Sequence, residues 1–146
     1  MTQEDKDLLL KDLTARLTYN VKAYVKNWSK LDRKYYKGVY TVESIHPSLN
    51  TILACSNKFS VEVILGYSDY DIKPYLFPLS SMTEEQKEEY RKVCELDTEI
   101  LSKHPMDGTP FPALYYSQDW LNKNHFDYRG LIEKGLAIDA TDKNIY

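Results

Sequence analysis

The chain begins with apolar residues spaced three and four positions apart, which is the repeat of a helix that buries one face. These residues are Leu9, Leu10, Leu13 and Leu17. Thr2 is a favourable N-cap residue, and the acidic Glu4 and Asp5 follow it at the positive end of the helix dipole. The pattern therefore predicts a helix from Gln3 to about Arg16.

From Leu17 the repeat changes to two residues, which is the spacing of a half-buried strand. The alternating sets are Leu17, Tyr19, Val21, Ala23 and Val25 on one face and Thr18, Asn20, Lys22, Tyr24 and Lys26 on the other. Further strands are predicted over residues 35–45, 51–55, 59–65 and 72–77. Because proline cannot donate to a ladder, Pro74 and Pro78 predict that the last strand is an edge or a short exit segment. Four or five short strands predict a small curled antiparallel sheet or half-open barrel.

The second half of the chain has the pattern of helices. Thr83 and Gln86 form a capping box, and an apolar stripe predicts a helix over residues 84–103. The stripe consists of Tyr90, Val93, Leu96, Ile100 and Leu101. A proline-rich loop over residues 105–112 and a shorter helix over residues 117–124 follow. The prediction is an α+β fold in one domain, 1–146, with a sheet-rich part (17–77) and a helical part (83–135) packed on it.

Residues 120–140 contain an ionisable cluster formed by His125, Asp127, Tyr128 and Arg129. Consecutive side chains on a helix or strand point in different directions, so the four do not converge on one substrate atom. We favour a structural interpretation in which a helix ends at His125 and Asp127 is a new N-cap. Leu131 and Ile132 would then be buried, and residues 136–138 would return as a short strand or docked tail.

The composition is that of an ordinary folded protein. The 146 residues are 42% apolar and 28% charged, and the net charge of −3 gives no global attraction to nucleic acid or anionic membrane. Cys55 and Cys94 have no Cys-x-x-Cys partner, so we expect buried free thiols. The charged N-terminus and the absence of an apolar run of about 18 residues predict a cytoplasmic protein with no signal peptide and no membrane contact.

The sequence contains no motif for catalysis or cofactor binding. The three histidines are scattered, and no His-x-x-x-His, His-Glu-x-x-His or Gly-x-Ser-x-Gly pattern occurs. The five glycines form neither a Walker loop nor a dinucleotide loop. We therefore expect a protein that is not an enzyme and that uses no metal and no cofactor.

A basic and aromatic segment at residues 22–37 is the clearest functional signal. It holds six lysines and arginines against one acid, Asp32. The candidate binding residues are Lys26, Trp28, Lys30, Arg33, Lys34, Tyr35, Tyr36 and Lys37. Small curled sheets bind nucleic acid through such aromatic side chains beside phosphate-neutralising lysines. The alternative is a solvated polar face with Trp28 and Tyr36 in the core, and we favour it because the net acidity opposes phosphate binding. Burial of Trp28, Tyr35 and Tyr36 together would exclude the stacking hypothesis.

Two segments of the sequence resemble those of a known protein family. They are IKPYLFPLSSMTEEQ at residues 72–86 and NHFDYRGLIEKGLAIDA at residues 124–140. Both resemble sequence segments shared by a family of small uncharacterised proteins. Proteins of this family are frequent in gut Bacteroides-type genomes and their prophage or mobile-element regions. The resemblance implies a bacterial or phage-like origin, an intracellular location and an accessory role, but no activity and no site residue. We therefore expect a non-enzymatic accessory or interaction protein with an unidentified protein partner. The alternative is a small nucleic-acid-binding protein that uses residues 22–37.

Overall fold

A computed structural model describes residues 1–29, 33–57, 60–66, 70–103 and 115–146. The helices are α1 (Gln3–Arg16), α2 (Glu84–Lys103) and α3 (Tyr115–Lys123). The strands are β1 (Lys22–Ser29), β2 (Lys34–His46), β3 (Thr51–Cys55), β4 (Ser60–Ile64), β5 (Tyr70–Pro78), β6 (Phe126–Asp127) and β7 (Ile138–Asp139). Short 3-10 turns occupy Leu17–Tyr19, Pro47–Leu49 and Leu79–Ser81. The predicted proline-rich loop lies outside the described residues.

The strands form one open sheet in the order β4-β3-β2-β1-β5-β6, and β7 also pairs with β5. In this order, each pair of neighbouring strands from β4 through β3, β2 and β1 to β5 is antiparallel. The strands β6 and β7 run parallel to β5. A bulge between Val42 and Ser44 interrupts the pairing of β2 with β3. β4 also approaches β1 and β5, with which it has no ladder. The α+β class is confirmed, and the predicted half-open barrel is matched only roughly because the sheet stays open.

Two predictions about the strands are wrong. Leu17–Tyr19 forms a 3-10 turn and Asn20 has a left-handed backbone (φ 54°), so the alternating strand begins at Lys22. β5 is not an edge strand but lies between β1 on one side and β6 and β7 on the other. It pairs with β1 through residues 70–74 and with β7 and β6 through residues 75–78. Pro74 is therefore the last residue paired with β1, and Pro78 is the last residue paired with β6. At the end of a ladder the missing N–H of proline does not interrupt the hydrogen bonds of other residues.

The helix boundaries agree with the local signals in the sequence. α1 and α2 begin and end at the predicted residues. At the start of α1, Thr2 Oγ1 accepts a hydrogen bond from the Asp5 N–H (3.1 Å), and the Asp5 carboxylate accepts one from the Thr2 N–H (2.9 Å). Thr83 and Gln86 exchange the same two bonds before α2, at 3.2 and 2.9 Å. Both capping boxes satisfy backbone N–H groups that a helix start leaves without partners.

The hydrophobic core lies between α1 and the inner face of the sheet. Leu9 and Leu13 of α1 are fully buried. The inner-face residues that pack with them include Val21, Ala23, Val25, Val42, Ile52, Val61, Val63 and Ile72. Because successive side chains of a strand point to opposite faces, the intervening residues of β1 and β2 lie on the outer face of the sheet. That outer face includes the segment with the predicted binding residues.

The helix α3 is held at its N-terminus by α2. Among the described residues, α2 has one buried side chain, Asp97. The Asp97 carboxylate accepts hydrogen bonds from the backbone N–H groups of Tyr116 (3.1 Å) and Ser117 (2.8 Å), in the first turn of α3. A carboxylate in this position caps the helix and interacts favourably with the positive end of its dipole.

The C-terminus of α3 is held by Arg16, the last residue of α1, which is fully buried. Its guanidinium pairs with the carboxylate of Asp12 at 2.8 and 3.0 Å. It also donates to the carbonyl oxygens of Leu121 (3.3 Å), Asn122 (3.4 Å) and Phe126 (2.8 Å). These carbonyls at and just beyond the end of a helix need a donor from outside it, and Arg16 supplies one.

Candidate functional site

The outer face of β1 and β2 carries four cross-strand pairs, which we call the outer ladder. In order along β1 they are Trp28 with Tyr35, Lys26 with Lys37, Tyr24 with Val39, and Lys22 with Thr41. Side chains directly opposite one another in an antiparallel pair lie close enough to interact. Aromatic or apolar pairs therefore alternate along the outer ladder with pairs that carry lysine.

The aromatic end of the outer ladder is open to solvent. The ring centres of Trp28 and Tyr35 lie 4.8 Å apart, with the planes at 60°. Tyr35 is 44% exposed, and Trp28 is half-buried. The Lys26 ammonium lies 4.3 Å from the centre of the Tyr35 ring, which is a cation–π contact. The stacking hypothesis therefore passes the test of burial, because these rings do not lie in the core.

The other predicted site residues lie in different places. Lys37 is exposed on the outer ladder, and Arg33 is exposed just before β2, with a left-handed backbone (φ 50°). Tyr36 is half-buried and lies on the inner side of β2, since it alternates with Tyr35. Lys34 belongs to β2, but its side chain and all of Lys30 lie outside the described residues. The structure therefore brings four of the predicted residues together: Lys26, Trp28, Tyr35 and Lys37.

The strand β5 adds residues to this face that sequence reasoning missed. Lys73 lies opposite Tyr24, and Asp71 lies opposite Lys26. The order of strands in a sheet decides which side chains become neighbours, and no local pattern around residues 71–73 shows it. For Tyr24 a signal did exist, because the two-residue repeat places it on the same face as Lys26.

Acidic side chains mark the other side of the outer face. Glu43 of β2 and Glu62 of β4 are exposed. Glu62 points away from the core, because the alternating Val61 and Val63 are buried. The basic part of the outer face therefore follows β5, β1 and the first half of β2, and it does not extend to β4.

A cleft of about 490 Å³ lies at the Lys22 end of the outer ladder. Its lining includes the polar side chains of Lys22, Lys37, Thr41, Ser56 and Asn57, with Ile145 at its border. Within it, Lys22 Nζ donates a hydrogen bond of 2.7 Å to Thr41 Oγ1. The cleft thus combines two lysines with hydroxyl and amide groups, which is a lining suited to an anionic or hydroxyl-bearing ligand.

Tyr146 lies close to this cleft, because it binds the backbone of Lys22. The Tyr146 hydroxyl accepts a hydrogen bond from the Lys22 N–H (3.1 Å) and donates one to the Tyr75 carbonyl oxygen (2.8 Å). Although 44% of Tyr146 is exposed, this hydroxyl lies between β1 and β5, and its burial raises the pKa of Tyr146 to about 12. The hydroxyl therefore stays protonated at neutral pH and can keep donating to β5.

The cleft also has a cysteine in its wall, Cys55. Its thiol donates to the Ser60 hydroxyl at 3.0 Å. In the thiolate the same hydroxyl would turn its proton toward the sulfur and favour the charged form, but partial burial and the neighbouring Glu43 carboxylate outweigh this effect and raise the pKa of Cys55. A thiol with a raised pKa is a poor nucleophile at neutral pH, so the residue contributes packing and a weak donor to the cleft.

The second ionisable cluster, residues 125–129, begins with two side chains that bind within the C-terminal segment. The His125 ring is buried and stacks on the Tyr146 ring, with 4.0 Å between centres and 15° between planes. The Asp127 carboxylate accepts hydrogen bonds from the backbone N–H groups of Leu131 (3.0 Å) and Ile132 (2.7 Å). The prediction that Asp127 is the N-cap of a new helix is wrong, because the segment after it forms turns, and its carboxylate instead holds backbone N–H groups four and five residues further along.

The other two side chains of this cluster bind toward α1 and α3. The Tyr128 hydroxyl donates to Asn122 Oδ1 (3.2 Å), and Arg129 Nη1 donates to the buried Asp12 carboxylate (2.8 Å). The Arg129 guanidinium also lies 4.3 Å from the centre of the Tyr128 ring. The cluster therefore makes separate contacts that fasten the C-terminal segment to α1 and α3, which supports its structural interpretation.

The described parts of the chain show no group of three or more His, Cys, Asp or Glu residues placed to hold a metal ion. In the same residues, no helix has the length and apolar character needed to cross a membrane. Comparisons with protein-family models, with curated proteins and with solved structures gave no match to the chain.

Proposed function

We propose that the protein binds single-stranded nucleic acid on the outer ladder. The observation that carries this proposal is the solvent-accessible ring pair of Trp28 and Tyr35 directly beside the lysine pair of Lys26 and Lys37. Sheet surfaces that present aromatic rings bind unpaired bases by stacking, and adjacent lysines neutralise the phosphates. The charge of this surface indicates the class of ligand, since a lysine pair beside the rings favours a polyanion over a neutral apolar partner.

The contact between Lys26 and Tyr35 does not prevent a base from stacking there. A cation–π contact at an exposed site contributes about 0.5–1 kcal/mol. Stacking of a base on an aromatic side chain contributes about 1–3 kcal/mol. A base can therefore displace the Lys26 ammonium from the ring, and the freed ammonium then lies beside the phosphate of the same nucleotide.

The net charge of −3 sets the conditions under which binding is expected. Apart from Asp71, which lies opposite Lys26, the acids on the described strands lie off the outer ladder, and at physiological salt charges more than about 8 Å apart are largely screened from one another. Local attraction at the outer ladder then exceeds the overall repulsion. Affinity should be moderate and should fall as salt rises, because each phosphate that a lysine neutralises releases counterions.

The test measures the fluorescence anisotropy of a labelled twelve-nucleotide oligothymidylate titrated with the protein at low salt. Trp28→Ala and Tyr35→Ala should each weaken binding about 5- to 150-fold, the equivalent of one lost stacking contact. The matched control is Tyr115→Ala on α3, because Tyr115 is also an exposed tyrosine (52%) but lies outside the sheet. Thermal melting serves to check that all three variants remain folded.

Two outcomes would overturn the proposal. One is a wild-type protein that shows no salt-sensitive binding to oligothymidylate or oligouridylate. The other is an equal loss of affinity in the Tyr115→Ala control, which would show that binding does not depend on the outer ladder. The accessory role and the bacterial or phage-like origin that the two sequence segments imply stay predictions, and nucleic-acid binding without catalysis is compatible with both.

A further inference from the structure

We infer that the outer ladder binds an extended strand of three to four unstacked nucleotides that runs along β1, with a second base site at Tyr24 and Val39 and a phosphate site at Lys22. This inference rests on the proposed function and adds the path and the length of the ligand. It uses all four pairs of the outer ladder, whereas the proposal above needs only the two nearest Trp28.

The spacing of the pairs determines the form of the strand. Successive pairs lie two residues apart along β1, which is about 7 Å at the rise of a β-strand. Stacked bases of one strand lie about 3.4 Å apart. Bases bound on successive sites of the outer ladder are therefore too far apart to stack on each other. Each base packs against protein side chains, as in other single-strand binders.

The second base site is formed by Tyr24 and Val39. Tyr24 is half-buried and Val39 is 44% exposed, so a flat apolar surface is available between the two lysine pairs. Lys73 of β5 lies beside Tyr24 on the same face. A base on Tyr24 would thus have a cation on one side at Lys73 and the pair Lys26 and Lys37 on the other.

The phosphate site lies in the cleft at the end of the outer ladder. The Lys22 ammonium is held there by Thr41 Oγ1 at 2.7 Å, and Lys37 lines the same cleft. Ser56 and Asn57 supply further hydrogen-bonding groups. The volume of about 490 Å³ falls within the range of small-ligand sites, about 300–1,000 Å³. The cleft therefore has room for one phosphate and its sugar.

The two ends of the path are set by the structure. Trp28 lies near the end of β1, and Lys22 lies at its start, six residues or about 20 Å away. Beyond Lys22, Tyr146 lies across the path, because its hydroxyl bridges the Lys22 N–H and the Tyr75 carbonyl. The acidic Glu43 and Glu62 lie toward β4 and disfavour a turn of the strand in that direction.

The test is a series of oligothymidylates of two, three, four, six and eight nucleotides, measured by calorimetry and by quenching of the tryptophan fluorescence of the protein. Affinity should rise with each nucleotide up to four and then level off, apart from the statistical gain of longer chains. Lys22→Gln should weaken binding of the four-nucleotide ligand about 3- to 10-fold and reduce the slope of log affinity against log salt by about 0.7. It should leave the two-nucleotide ligand unaffected, because that ligand reaches only the Trp28 end.

Two further variants complete the test. Tyr24→Ala should also weaken the four-nucleotide ligand and spare the two-nucleotide ligand. Lys87→Gln is the matched control, because it removes the same charge from exposed α2, away from the sheet. Circular dichroism and melting temperature show whether each variant is folded, and a variant that does not fold is replaced by Lys22→Met or Tyr24→Leu, which remove the same charge or ring and should weaken the four-nucleotide ligand in the same way.

The failure of this inference is distinguishable from failure of the proposed function. If Trp28→Ala abolishes binding of the eight-nucleotide ligand while Lys22→Gln and Tyr24→Ala bind it as the wild type does, the path is wrong and the proposed function stands. If no oligonucleotide of any length binds, both fail. A duplex of the same length that binds as tightly as the single strand would also contradict the inference, because paired bases cannot reach the rings.

Discussion

His125 is a titratable residue that the fold keeps neutral. It follows α3 with a left-handed backbone (φ 58°), it is buried, and its Nδ1 has no hydrogen-bond partner among the described residues. Burial, and then the positive charge of Arg16, lower the pKa of His125 to about 4. The ring instead stacks on Tyr146. A protonated His125 would place a second cation beside a guanidinium in the interior.

From this environment we predict that His125 causes part of the loss of stability in acid. Its folded pKa of about 4 lies below the usual value of 6.5, so between these values the unfolded chain binds a proton that the folded chain does not. Stability is therefore complete above pH 6.5 and falls as the pH falls toward 4. From pH 7.5 to pH 4.5, His125 should account for about 2–3 kcal/mol of the lost free energy of unfolding.

Urea denaturation of His125→Asn at these two pH values measures this contribution. Asparagine tolerates the left-handed backbone and does not titrate, so the variant should lose less stability in acid than the wild type does. The control is His46→Asn, since His46 is exposed at the end of β2. If His125→Asn loses as much free energy of unfolding between these pH values as the wild type does, His125 is not the responsible group.

Tyr35 and Tyr36 show the limit of sequence reasoning for the site. Both appear as aromatic residues among lysines in the sequence. In the strand they point to opposite faces, so Tyr35 joins the outer ladder and Tyr36 does not. Which face is the inner one depends on α1, which packs on the other side of the sheet through Leu9 and Leu13. That contact is tertiary and cannot be derived from the segment itself.

The helix α3 depends on side chains from other helices at both of its ends. It has nine residues, and helices of this length are marginal in water without tertiary support. Asp97 of α2 supplies acceptors to its first turn, and Arg16 of α1 supplies donors to its last carbonyls. These two contacts fix both ends of α3, and with them the start of the C-terminal segment that follows it.

Removal of Arg16 should therefore destabilise the protein strongly. Arg16→Met leaves Asp12 without its two-point partner and leaves three carbonyl oxygens without their donor, and breaking a buried ion pair costs about 3–5 kcal/mol. Urea denaturation measures the change. The control is Arg91→Met on α2, whose ion pairs with Glu88 and Glu95 are exposed, so that stability should barely change. Similar losses in the two variants would show that the buried network does not hold α3.

The elements that the sequence predicts correctly are those that local signals define. Capping boxes locate the starts of α1 and α2, and the alternation of Val61 and Val63 locates the buried face of β4. The internal position of β5 could not be predicted, because it depends on β6 and β7, which lie far along the chain at residues 126–127 and 138–139 and have two residues each. Such short parallel pairings have no periodic pattern of their own.

At the level of the whole molecule, charge is segregated and not evenly spread. The chain carries a net charge of −3. On the outer face of β1, of β2 up to Thr41 and of β5 up to Lys73, the described charged side chains are four lysines and one aspartate. They are Lys22, Lys26, Lys37, Lys73 and Asp71. The net charge alone argues against nucleic-acid binding, and the sequence interpretation followed it. The sheet places these lysines beside exposed rings on one surface, and this arrangement supports the proposal of nucleic-acid binding.

The most direct test of this account is an NMR titration of the isotope-labelled protein with a four-nucleotide oligothymidylate at low salt. The amide signals of residues 22–28 and 35–41 should shift most, and those of α2 should stay in place, because the ligand lies along the outer ladder. Added salt should reverse the shifts. Shifts confined to α2 and α3, or no shifts at millimolar ligand, would contradict the assignment of the outer ladder as a nucleic-acid-binding surface.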